Sequence, residues 1–176
     1  MNGENAVSNQ EDLLENLSAS YLAYIQALHD FLALDVETRI SLIKQALKGK
    51  DKIIGIHLLL YLSSAEHMQL FDELVFLASY SHGPIERIRK TILSLPRDWV
   101  VANIEQTAEP LIYNGTYDEY RRFLELYVLL DYDLAFRLAR RALSHSAPDI
   151  REVGEDFFAA VQSGKYETGQ SNHGAR

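Results

Sequence analysis

The chain has 176 residues, the usual length of one domain. With 47% apolar and 24% charged residues it can bury a core, while a net charge of -8 disfavours a nucleic-acid backbone or an anionic membrane as main partner. The absence of cysteine excludes disulfides, Cys-type zinc sites, iron–sulfur ligation and thiol catalysis.

Residues 1–10, MNGENAVSNQ, carry neither the cationic start nor the apolar run of a signal peptide and are expected to be a disordered N-terminus. No segment approaches the roughly 20 apolar residues of a membrane helix, so the default expectation is a cytoplasmic protein. Leu13, Leu14, Leu17, Tyr21, Tyr24 and Leu28 recur at helical steps and predict an amphipathic first helix. Beyond it, breaks fall at Gly49, Gly83-Pro84, Pro96, Asn114-Gly115 and Ala147-Pro148, with no sustained period-two alternation. An all-α protein follows.

Four stretches share one apolar scheme: Ile53, Ile56 and Leu60; Ile85, Ile88, Ile92 and Leu95; Tyr120, Phe123, Tyr127 and Leu130; Ile150, Val153, Phe157 and Val161. Positions 53, 85, 120 and 150 lie 32, 35 and 30 apart, within the window of helical-repeat arrays. Each stretch is preceded by a partner helix: Ile40, Ile43 and Leu47; Phe71, Leu74 and Ala78; Val101, Ile104 and Leu111; Leu134, Leu138 and Ala142. Pro84 and Pro148 suit the first turn of a second helix. Pro110 is expected to kink the first helix of the third pair or to end it at Glu109. The array occupies 11–162, and the Gly-rich stretch 163–176 is expected to be a disordered tail.

PDIREVGEDFFAA at 148–160 and GPIERIRKTIL at 83–93 resemble the second helix of HEAT-type repeats: a Pro turn, an apolar residue, an Arg, then an apolar stripe. TYDEYRRFLEL is a weaker match, and DKIIGIHLLL lacks the Arg. The resemblance implies a right-handed α-solenoid of about four short HEAT-like helix pairs with an N-terminal capping helix. The period also approaches the tetratricopeptide length, and DYDLAFRLARRALSHSAPD at 131–149 resembles the second helix of such a repeat, although its Trp-based signature is missing.

None of the six histidines pairs at metal-ligand spacing, and no nucleotide-binding or nucleophile motif occurs, so neither metal nor cofactor is expected. Asp149, Glu152, Glu155 and Asp156 read as a solvated helix face that suits the helix dipole. The resemblance places Arg87, Arg89, Arg121, Arg122 and Arg151 on the concave face of the second helices. An Arg ladder there suits an acidic partner; alternatively each Arg pairs locally, Asp118 with Arg122, Glu86 with Arg89 or Lys90, and Arg151 with Glu155. Tyr80, Tyr113, Tyr117 and Tyr132 fall in or beside turns, and Tyr80 and Tyr117 join the candidate partner-binding set. Charge is uneven: residues 1–35 hold six acids and no Lys or Arg, 36–64 sum to +3, and 100–131 to -4.

These features suggest a non-enzymatic scaffold or adaptor for a protein or peptide partner, with assembly factor and inhibitor or immunity protein as roles within that class. The sequence leaves oligomeric state open. The alternative is an enzyme or enzyme subunit on a HEAT-like scaffold, akin to phycobilin lyases or DNA glycosylases. The glycosylase version requires a basic concave groove, which a net charge of -8 without a continuous basic stripe disfavours.

Overall fold

A computed structural model describes residues 4–79 and 85–163, with side chains from Asp12 onward. Among these residues the chain is all-helical, with no strand, and no helix is long and apolar enough to cross a membrane. The chain divides into two compact units, Met1–Gln45 and Ala46–Arg176.

The first unit is dominated by helix α1, Glu4–Leu32, which begins within the segment expected to lack order. The predicted stripe is present, but Leu13, Leu14, Leu17 and Tyr21 are 61% to 67% exposed, and Leu28 alone of that set is buried. Helix α2, Val36–Lys48, starts at a built corner. Asp35 accepts from the Thr38 amide at 2.9 Å and its hydroxyl at 2.7 Å, satisfying an orphan donor of the first turn. Those Thr38 bonds hold the Asp35 carboxyl below its ordinary range. Arg39 returns a guanidinium to the Leu32 carbonyl at 2.8 Å and to that of Leu34, closing the carbonyl end of α1.

In the second unit α3, Lys52–Leu58, gives way to a 3-10 turn at Leu59–Tyr61. The tighter turn shifts the helical phase, so Leu59 is buried and Leu60 exposed; upstream of it Ile56 is buried and Ile53, in the first turn of α3, is exposed. The expected Ile53, Ile56, Leu60 stripe is therefore out of register. Gly55 lets α3 approach the end of α2, since a Cβ there would stand 3.0 Å from Leu47 and 3.1 Å from Ala46.

Helix α4, Ser64–Gln69, opens on a capping box between Ser63 and Glu66. Helices α5 (Phe71–Ala78), α6 (Ile85–Leu93), α7 (Arg97–Tyr113), α8 (Tyr117–Leu130), α9 (Tyr132–Leu143) and α10 (Pro148–Gln162) follow. Adjacent helices pack as α5 on α6, α7 on α8, α8 on α9 and α9 on α10. Alternate helices also touch: α5 meets α7, α6 meets α8, and α8 meets α10. Helix α8 is thus central, burying Tyr120, Phe123, Leu124, Leu126, Tyr127 and Leu130.

Helix α7 passes through Pro110 without ending at Glu109. Both Pro110 and Gln106, whose carbonyl loses its usual donor, are exposed, so water can satisfy the freed group. The buried stripe of α7 is Val100, Ile104, Ala108 and Ile112, one residue out of step with the expected Val101 and Leu111. Trp99 packs edge-on to Phe71 with centroids 4.9 Å apart. At Gly154 of α10 a Cβ would lie 2.8 Å from the Leu143 amide nitrogen and 2.9 Å from Ala142 Cβ, so absence of a side chain sets the close approach to α9.

Candidate functional site

The second-helix arginines fall into three environments. Arg89 is 7% exposed and donates across to α8, 2.7 Å to Glu125 Oε2 and 3.1 Å to the Arg122 carbonyl. Its other terminal nitrogen stands 3.7 Å from Glu86. Arg122 also donates to Glu125 Oε2 at 2.9 Å, and Arg121 Nε lies 3.3 Å from Oε1. Burial pushes the Glu125 carboxyl up, but the Arg89 and Arg122 hydrogen bonds outweigh it and hold the group below its ordinary range. Arg122 is thus committed to Glu125, not to the expected Asp118.

Arg121 also donates to the Tyr117 hydroxyl at 2.9 Å and lies 5.9 Å from that ring's centroid. Tyr117 is exposed at the start of α8, where Thr116 and Glu119 form a capping box. Arg151 turns back to the carbonyls of His145 and Ser146, both at 2.8 Å, and so is held by loop carbonyls and not by the expected Glu155. Tyr80 lies outside the described residues.

Arg87 differs from the rest. It is exposed on α6, as is Lys90 one turn on, and neither has a carboxylate within ion-pair distance among the described residues. Both line an open groove with Leu59, Leu60, His67, Glu86 and Thr91. Exposed Leu60 supplies apolar area, while His67 is held by a 2.9 Å contact of Nε2 with the Leu59 carbonyl. The groove thus joins an apolar wall to two cations and one carboxylate, Glu86. Sequence reading singled out Arg87 but missed the wall, because the 3-10 turn that exposes Leu60 leaves no periodic mark.

On the first helices, Arg137 of α9 binds Glu105 of α7 at 2.9 and 2.8 Å, and Arg141 binds Glu109 at 2.6 and 3.0 Å. Both pairs are bidentate and both span 32 residues. They border a cleft of about 120 Å³ that Ile112, Leu138 and Tyr127 also line. The Tyr127 hydroxyl is buried without a hydrogen-bond partner. Burial raises its pKa, with the Glu105 and Glu109 carboxylates adding to the effect, so the phenol stays protonated at neutral pH. The equal spacing of these pairs is a signal the sequence contained.

Asp149, Glu152, Glu155 and Asp156 are exposed, as expected of a solvated face. Among the described residues no cluster of three potential metal ligands occurs. No protein-family model, curated protein or solved structure matches the chain.

Proposed function

We propose that the chain is a non-enzymatic protein-interaction module that captures an acidic amphipathic segment of a protein partner on its second-helix face. The observation that carries this reading is the groove of Leu59, Leu60, Arg87 and Lys90. Its two cations make no ion pair among the described residues, the groove's own Glu86 standing 3.7 Å from Arg89 instead, whereas Arg89, Arg121 and Arg122 converge on Glu125. An acidic segment supplies the missing charge and an apolar stripe covers Leu60.

The same reading takes the helices as a HEAT-like solenoid of successive pairs. Its support is the contact of α6 with α8 and of α8 with α10 in one row, of α5 with α7 in another, and the two 32-residue ion pairs that tie α7 to α9. Repeats stacked side by side present one helix of each pair on a common face. Adaptor, assembly factor and inhibitor are roles within this reading.

Affinity capture from the native source, quantified by mass spectrometry, tests it. Wild type should retain one stoichiometric partner with an acidic amphipathic segment, and that retention should weaken as salt rises. The Arg87→Glu/Lys90→Glu double variant should lose the partner while keeping its helical circular dichroism. Full retention by the charge-reversed protein would refute the groove as the site.

A further inference from the structure

The first unit carries a surface that the groove does not explain. Along α1, Leu14, Leu17, Tyr21, Tyr24, Leu28 and Phe31 follow alternating steps of three and four, the heptad spacing that keeps a seam facing a second helix. From Leu13 to Ile25 the large apolar side chains of this face are exposed. A contiguous apolar face on an amphipathic helix marks an interaction site.

We infer that α1 pairs with α1 of a second copy of this chain. The distribution of charge selects that occupant. At 100° per residue, Asp12, Glu15 and Asp30 lie on the side of the helix opposite the seam. From Leu13 to Leu32 the positions flanking the seam, Leu13, Ser18, Ser20, Ile25, Ala27 and Leu32, are all uncharged, and Glu11, at the register of Ser18 one heptad earlier, precedes the first seam residue, Leu14. Two identical helices can therefore meet along the seam without bringing like charges together, although residues 1–35 carry six acids and no Lys or Arg. An identical helix also repeats the same three–four register by construction, which a two-fold interface requires.

The exposed face is about 20 Å long on a helix about 12 Å across and offers on the order of 400 to 500 Å² per copy. That is the size of a reversible interface, so pairing depends on concentration. Sedimentation equilibrium of the full chain from roughly 1 µM to roughly 1 mM reads it directly. Wild type should move from the 20.0 kDa chain mass toward twice that value.

Leu17→Glu/Tyr21→Glu should stay monomeric throughout, with unchanged helical circular dichroism. Leu17→Ala/Tyr21→Ala, which adds no charge, should raise the dissociation constant by roughly tenfold or more. Asp12→Lys/Glu15→Lys, on the opposite side, should leave the dimer in place. A wild type that stays monomeric, as it would if another protein or a surface were the occupant of α1, overturns the inference. So does a dimer that survives the seam variants or that the opposite-side variant dissolves equally. Arg87→Glu/Lys90→Glu should dimerise normally, which separates this result from the fate of the groove.

Discussion

At α8 three guanidinium groups share one carboxylate; between α7 and α9 each of two has a carboxylate of its own. Glu125 receives Arg89, Arg121 and Arg122, and Arg89 is among the few buried charged residues of the described chain. Arg137 and Arg141 instead make one-to-one forks with Glu105 and Glu109 at side-chain exposures of 38% to 53%. The difference teaches where charge stabilises and where it recognises. A buried, converging cluster depends on every member because an orphaned charge cannot return to water. Exposed forks gain little over hydration, and Arg87 and Lys90, exposed and without an ion pair among the described residues, are the cations that the proposed groove offers to a partner.

The sharpest way to break the comparison is to remove its hub. Glu125→Ala leaves Arg89 buried without its strongest partner and should cost about 3 kcal/mol in urea denaturation; a cost indistinguishable from that of a surface substitution would mean the cluster is as hydrated as the forks. The hub also predicts a pH dependence. Because the folded Glu125 carboxyl titrates below the ordinary value of 4.5, its contribution is complete above that value and is lost as pH falls through the lower folded one. Glu125→Gln should therefore flatten the acid limb of the stability curve relative to wild type.

The forks supply the next test. Glu105→Ala should cost less than about 1 kcal/mol, and Glu109→Ala the same. Their double variant should be close to additive unless the two forks, one turn apart on each helix, act as one network. Raising salt should shrink both effects, while the Glu125→Ala cost should persist because a part-buried cluster is less screened. A salt-insensitive loss well above this range at Glu105 would place the two faces in the same class after all.

Much of this arrangement was legible before the coordinates. The stripes 120, 123, 127, 130 and 134, 138, 142 fall on buried residues because uninterrupted α-helices keep the 3.6-residue phase. The phase failed at Leu60, where a 3-10 turn changes the residues per turn, and Ile53, in the first turn of α3, is exposed ahead of that turn. The α1 stripe was visible, but its exposure was not, since periodicity marks a face that wants a partner without saying which. The hub escaped because Glu125 reads locally as a helix-surface neighbour of Arg121 and Arg122, while Arg89 lies 36 residues away and reaches it only by packing of α6 on α8. The forks were readable in principle: opposite charges 32 residues apart, twice, at the spacing that separates Ile53 from Ile85.

The smallest expected effect concerns what lies beside the forks. Tyr127 is 1% exposed, its hydroxyl has no hydrogen-bond partner, and it shares the cleft with Glu105, Glu109, Arg137 and Arg141. A buried hydroxyl with no partner is a net cost, whereas the ring it sits on is fully used in packing, with Phe123 at 6.0 Å between centroids. Tyr127→Phe removes the cost and keeps the ring, so the variant should be as stable as wild type or more stable by up to about 1 kcal/mol. A loss of about 1 kcal/mol would instead show that the hydroxyl is satisfied in solution, by water held in the cleft. Repeating the substitution in the Glu105→Ala background decides how far the forks set that balance. If they screen the cleft from solvent, opening one fork lets water reach the hydroxyl, and the gain on going to Phe should vanish.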